Sequence, residues 1–254
     1  MDQTLTNVER EGPAYTCNRK PPASPLIAPL LHTLVFIAVL LANSWLSAHT
    51  PHHVAGANSK VFLYLRNIGW ECLAVLYVWL GTRRRIRWRE LVSGRWNSVG
   101  DALRDFALGA LLWLVILTVI ASLAAAMGML QGDAAHRINE ARQRLSFLIP
   151  RSGAEVLLFI CMSAAAGICE EIVFRGYLLR QFTALTRCVP LAVALQAVLF
   201  GAAHGYQGGQ RMVLIAAEGV LLGAVALWRR SLRPSMAAHA LQDVISGLVA
   251  RHSL

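Results

Sequence analysis

Charged residues are scarce in this chain: Asp, Glu, Lys and Arg make up 15% of its 254 residues, against 56% hydrophobic. With a mean hydropathy of +0.49, the chain has too little polar surface for one or two water-soluble domains. The same figures exclude a disordered chain, which needs low hydrophobicity and high net charge. Cysteine is sparse as well. Cys17, Cys72, Cys161, Cys169 and Cys188 show no CxxC spacing, so neither a small disulfide scaffold nor a cysteine metal cluster can be read from them. Internal repeats and an HExxH pair are also missing, which argues against an inverted-repeat transporter and against a helix carrying two zinc ligands on one face.

What is present is a series of apolar runs, at 26–46, 61–80, 106–130, 154–182, 190–204, 211–228 and 235–250. Several reach the roughly 20 residues that span a bilayer as helix. They predict an all-α, polytopic integral membrane bundle of about seven transmembrane helices. Within it, 1–25 read as a polar, proline-broken cytoplasmic tail, 26–149 as N-terminal membrane helices, 150–250 as a helical core and 251–254 as a short tail. Lys and Arg outnumber Asp and Glu by 24 to 14, but they fall between the runs and not along one face, so they signal topology and not a nucleic acid partner. Placing successive connections on alternate sides puts fifteen Lys and Arg with the tail and seven opposite. The positive-inside rule then sets the N-terminus and the Arg83, Arg84, Arg85, Arg87 cluster in the cytoplasm, with the protein in the cell (inner) membrane. That cluster is a topology anchor or, alternatively, a contact for anionic lipid headgroups. The stretch 131–153 reads either as an amphipathic surface helix or as a solvated loop.

Ionisable groups inside apolar runs carry the functional signal, because a charge near mid-bilayer costs about 2.5–3.5 kcal/mol even on lenient scales. The fourth run holds Glu170, Glu171 and Arg175. On a helix Glu171 and Arg175 stand four apart and can pair, while Glu170 turns about 100° away without a local partner. A carboxyl group in low dielectric is harder to ionise, which is how one becomes a usable general base near neutral pH. The bland alternative is a structural network in which both glutamates share Arg175. The fifth run ends at His204, and a turn near Arg187 and Pro190 lies 17 residues from both Glu170 and His204, so an antiparallel hairpin would bring those two side chains to one depth. The seventh run carries His239 and Asp243, again four apart, a spacing at which the carboxylate can fix the imidazole tautomer. Glu71 and Glu218 read as isolated carboxyls, either structural or functional.

Three segments, EExxxR at Glu170 to Arg175, FxxxH at Phe200 to His204 and HxxxD at His239 to Asp243, together resemble the signature of the CPBP (ABI) family of type II CAAX prenyl endopeptidases and bacteriocin-processing or immunity proteins. The resemblance covers about residues 150–250. It implies an all-helical intramembrane endopeptidase that hydrolyses a peptide bond of a membrane-associated protein, prenylated or a precursor. By carry-over, Glu170 with His204 activates the attacking water, His239 and position 243 stabilise the oxyanion, and Glu171 with Arg175 holds the site together. The family pattern commonly has Asn where this chain has Asp243. An ionised carboxylate cannot donate to an oxyanion, so Asp243 must be protonated, orient His239 or bind a metal. No cofactor is favoured; zinc is the alternative, with Glu170, His204 and His239 as its ligands. Two other readings stand beside the protease: a catalytically silent membrane immunity or scaffold partner, and an ion-coupled transporter using Glu170, Glu71 and Glu218.

Straight helices leave a geometric tension. His239 lies seven residues, about 10 Å, beyond Leu232, whereas His204 lies about 25 Å from the Arg187 turn. Something must bend or re-enter the membrane, and the segment around His204, with Gly201, Gly205, Gly208 and Gly209, is the candidate.

Overall fold

In hydrocarbon every backbone N–H and C=O must be satisfied within its own segment, so apolar runs fold as helices. A computed structural model describes residues 25–50, 57–129 and 146–252. All but the last residue of the tail expected over 1–25, and most of the amphipathic stretch expected over 131–153, lie outside the described residues. In chain order the elements are α1 (Leu30–His49), α2 (Ala57–Thr82), a short α3 (Trp88–Val92), α4 (Val99–Ala126), α5 (Gly153–Glu171), a π-helical turn (Ile172–Leu178), α6 (Leu179–Thr186), α7 (Val189–Ala203), a 3-10 turn (Gly205–Gln207), α8 (Gly209–Arg229) and α9 (Arg233–His252).

Among the described residues, five helical segments are long and apolar enough to cross a membrane: α1, α2 from Lys60, α4, the continuous rod Gly153–Thr186, and α8. Large apolar side chains stand on their outer faces, with Leu31 72%, Leu103 65% and Trp228 66% exposed, a distribution that suits lipid and not water. The protein is an all-α integral membrane bundle. The other two expected runs differ in kind. α7 has 15 residues, about 22 Å of helix, short of a hydrocarbon core of about 30 Å. α9 carries His239, Gln242, Asp243 and Ser246 along its length, which removes it from the apolar class.

Glycines set how closely these helices approach. Between α7 and α8, a Cβ at Gly201 would strike the Met212 carbonyl, and one at Gly219 would sit 3.0 Å from Ala197 Cα. Between α5 and α9, a Cβ at Gly167 would lie 2.7 Å from the Ala240 amide nitrogen. Lipid offers no hydrophobic drive between helices, so backbone contact across small residues supplies the packing. Polar ties add to it: Trp96 Nε1 donates to Asp105 Oδ2 at 2.9 Å, Arg229 Nη2 reaches Asp105 Oδ1 at 3.2 Å, and Trp113 Nε1 donates to Gln242 Oε1 at 2.9 Å.

Two features resolve the tension between His204 and His239. α7 ends at His204 and the chain reverses through the 3-10 turn, with Gly208 at φ +93°, a left-handed angle that glycine adopts freely. Ser44 of α1 closes this turn, donating to the Ala202 carbonyl at 2.6 Å and accepting from Gly205 N at 3.1 Å, so its backbone polar groups find partners. At the other end of α8, the turn into α9 docks on α3 through Leu232 N to Val92 O at 3.1 Å and lies beside Gly176. Gly176 is eleven residues before Arg187, about 16 Å of helix, which is the difference the straight-helix estimate required.

Gly201→Val should force α7 and α8 apart and cost about 1–3 kcal/mol. Thermal unfolding in detergent checks this; an unchanged midpoint would contradict the close approach.

Candidate active site

The last turn of α5 carries Glu170 and Glu171, and the π-helical turn that follows carries Arg175. In the wider turn Leu179 N bonds back five residues to the Phe174 carbonyl; such π turns are frequent at functional sites. Across it, Arg175 Nη1 donates to Glu171 Oε1 at 2.6 Å, with both side chains fully buried. The guanidinium does more than pair. Its Nη2 donates to the Gly219 carbonyl of α8 at 3.2 Å, and its Cζ lies 4.3 Å above the Phe200 ring of α7, a cation–π contact. Gln196 Nε2 donates to the same Gly219 carbonyl at 2.9 Å. The site's ion pair is therefore also the bolt between three helices.

Glu171 has a second partner. His239 Nδ1 donates to Glu171 Oε1 at 3.1 Å, and this overturns the expectation that Asp243 fixes the His239 tautomer. Asp243 Oδ2 lies 3.8 Å from His239 Nε2, beyond hydrogen-bond length. The physical reason is position: Nδ1 turns inward to a fully buried carboxylate, while the Asp243 side chain stays 39% exposed on the other edge of the ring. His204 is fixed in the same sense by its backbone. Its Nδ1 stands 2.9 Å from the Phe200 carbonyl, and since a carbonyl only accepts, Nδ1 carries the proton.

Both histidines thus present Nε2 to one atom. Glu170 Oε2 lies 4.0 Å from His204 Nε2 and 3.9 Å from His239 Nε2, and it is buried without a hydrogen-bond partner in the protein. These gaps are too wide for direct bonds and have the width that a single bridging water spans at ordinary hydrogen-bond lengths. Phe200 wedges between the rings, its centroid 5.1 Å from His204 and 5.6 Å from His239. Phe174 backs it edge-on at 4.9 Å.

The convergence point opens into a cavity of about 700 Å³, within the usual size range for a ligand pocket. Glu170, His204, His239 and Asp243 line it; Glu171 and Arg175 stand behind its wall. Val39, Leu40, Leu73 and Leu76 make part of its lining apolar. All six residues singled out from the sequence meet here. Two were misjudged as isolated: Glu71 of α2 and Glu218 of α8 also line the cavity, and Glu71 reaches Glu170. Their signal was a carboxyl deep in an apolar run, and only the packing of α2 and α8 shows where they point. Among the described residues, no group of three or more His, Cys, Asp or Glu is placed to hold a metal ion.

Residues 152–245 match the family model described as type II CAAX prenyl endopeptidase Rce1-like. The match agrees with the likeness carried by the three motifs. No curated protein and no solved structure matches the chain. The Rce1-like region begins at the N-cap of α5, where Ser152 Oγ accepts from Glu155 N at 3.2 Å, and it ends on α9 two residues beyond Asp243. It contains all six residues, while α1 to α4, and with them Glu71, lie before it.

Removing one partner of a buried ion pair strands the other charge, so Arg175→Met should destabilise the protein by about 3–5 kcal/mol. The double variant Glu171→Leu with Arg175→Met should recover part of that loss. Unfolding midpoints in detergent measure both; a neutral single variant would contradict the pair's place in the fold.

Proposed function

We propose that this protein is an intramembrane endopeptidase in which Glu170 and His204 activate a water. The observation that carries the reading is the convergence of Glu170 Oε2 and two imidazole Nε2 atoms at 3.9–4.0 Å inside a cavity of a membrane bundle. A water seated there donates to Glu170 and to His204. As its oxygen attacks the peptide carbonyl carbon, its proton passes to this pair, which returns it to the departing amine as the C–N bond breaks. The products are a carboxylic acid and an amine. The carbonyl oxygen becomes an oxyanion beside His239, whose ring is held by Glu171 with Nε2 directed to the cavity. As the imidazolium, His239 donates Nε2–H to that oxygen from a fixed position away from bulk water.

Asp243 then works through His239. At 3.8 Å from Nε2, its carboxylate is a counter-charge to the imidazolium and need not itself donate to the oxyanion. The substrate is a membrane-associated protein or peptide, prenylated or a precursor, entering from the bilayer through the apolar part of the cavity wall. We favour chemistry without a resident metal. In the alternative, zinc would take Glu170, His204 and His239 as ligands and act as a Lewis acid on bound water. By the positive-inside rule the N-terminus is cytoplasmic and the protein sits in the cell membrane.

Glu170→Gln should lower cleavage of membrane-associated peptides by about 10²–10⁴-fold with an unchanged unfolding midpoint, and wild-type cleavage should survive a strong chelator. Undiminished cleavage by the variant would refute the base. Loss with chelator, restored by zinc, would refute the metal-free route. Asp243→Asn should keep measurable cleavage, since an amide retains a polar group beside Nε2, whereas Asp243→Leu should fall to the Glu170→Gln background. Wild-type activity in both Asp243 variants would remove Asp243 from the site.

A further inference from the structure

α2 lies outside the Rce1-like region, yet it is tied to the entry and length of α5. Lys60 Nζ donates to the Ile149 carbonyl at 2.5 Å and to the Ser146 carbonyl at 3.3 Å, just before α5 begins. Tyr64 Oη donates to the Leu148 carbonyl at 3.0 Å, and the Tyr64 ring meets Phe159 of α5 edge-on at 6.0 Å between centroids. Further along, Asn67 Nδ2 stands 3.6 Å from Met162 Sδ, and the thiols of Cys72 and Cys169 are in contact. These ties run down both helices in step, and they bring the residue beside each thiol, Glu71 and Glu170, face to face.

Both carboxyls line the same cavity and lie close enough to act on one another. An ionised carboxylate only accepts, so a hydrogen bond between them would hold one hydrogen. Glu71 is therefore a hydrogen-bonding group placed against the residue that reads as the base. Other groups facing Glu71 are His239 and Asp243 from α9, Cys169 from α5 and Tyr206 from the turn after α7. A leucine at this position would satisfy the lipid and the apolar cavity wall at no desolvation cost, so filling space does not account for a carboxyl here.

We infer that Glu71 is a positioning residue of the site: it holds the Glu170 carboxyl by a carboxyl–carboxyl hydrogen bond and keeps Oε2 aimed at the Nε2 atoms of His204 and His239. The inference rests on the reading that Glu170 acts on water. It places part of the site's geometry on a helix that precedes the family-matched region. It also gives α2 a task beyond spanning the bilayer. The donor matters and the acid does not, so an amide can replace it.

The test compares wild type, Glu71→Gln and Glu71→Leu, with Glu71→Met standing in if the leucine variant is not recovered folded, on one peptide in liposomes. Gln donates an amide N–H to Glu170, and its kcat should stay within about threefold of wild type. Leu leaves Glu170 unheld; a misplacement on the order of 1 Å costs about 10²-fold, and this should appear in kcat with KM unchanged. A leucine variant with full kcat, a glutamine variant as slow as leucine, or a change confined to KM would each overturn the inference. Should wild type cleave nothing, the protease reading falls by itself, and infrared difference spectra decide the contact: a hydrogen-bonded carboxylic acid band should disappear in Glu71→Gln and change in Glu170→Gln. A spectrum unaltered by both substitutions would overturn it.

Discussion

One buried carboxylate oxygen, Glu171 Oε1, holds this structure's site in register. It accepts from Arg175 at 2.6 Å and from His239 at 3.1 Å, and none of the three side chains is more than 5% exposed. A carboxylate taken out of water must recover its lost hydration from bonds of this kind, or it destabilises the fold by several kcal/mol. The demand propagates outward. Arg175 in turn needs an acceptor and a π face, and finds them in the Gly219 carbonyl and Phe200. That brings α8 and α7 against the π-helical turn, and it requires a glycine where a side chain would meet Ala197 at 3.0 Å. Charge satisfaction and close helix packing are here the same constraint.

The geometry of the candidate site follows from that framework. His239 is oriented from behind by Glu171 and His204 by its own helix end, so both rings show Nε2 to Glu170 Oε2. Glu170, adjacent in sequence to the buried anion, is left without a hydrogen-bond partner on that oxygen. Adjacent carboxylates on one helix are divided by direction: one turns into the protein and is consumed by structure, the other turns to the cavity and stays available for chemistry. The short α7 matters for the same reason. Because it ends at His204, the chain reverses at the depth of the carboxylates, and Ser44 supplies the partners that the reversed backbone needs.

Much of this was legible in the sequence, and the reasons differ by residue. The pairing of Glu171 with Arg175 follows from helix periodicity alone, and it survives the π turn because both side chains leave the same face. The meeting of Glu170 with His204 follows from equal distances to the turn near Arg187. The bond from His239 to Glu171 was not legible, because i to i+4 spacing pointed to Asp243, whereas tertiary packing offered a better-buried acceptor. Glu71 was hidden for a related reason: a lone carboxyl in an apolar run carries no information about the helix it will face. The count of spanning helices also shifted. α9 is amphipathic along the cavity, and α7 is long enough only for a partial crossing, so five of the seven runs qualify on their own.

The central claim is that Glu171 sets the orientation and hydrogen bonding of the His239 ring. Nitrogen-15 NMR of histidine-labelled protein in detergent tests it directly, comparing wild type with Glu171→Gln. The account predicts a His239 Nδ1–H resonance with the deshielding of a bond to a carboxylate, moving markedly when that carboxylate becomes an amide. Resonances of His239 that are the same in both proteins would contradict it.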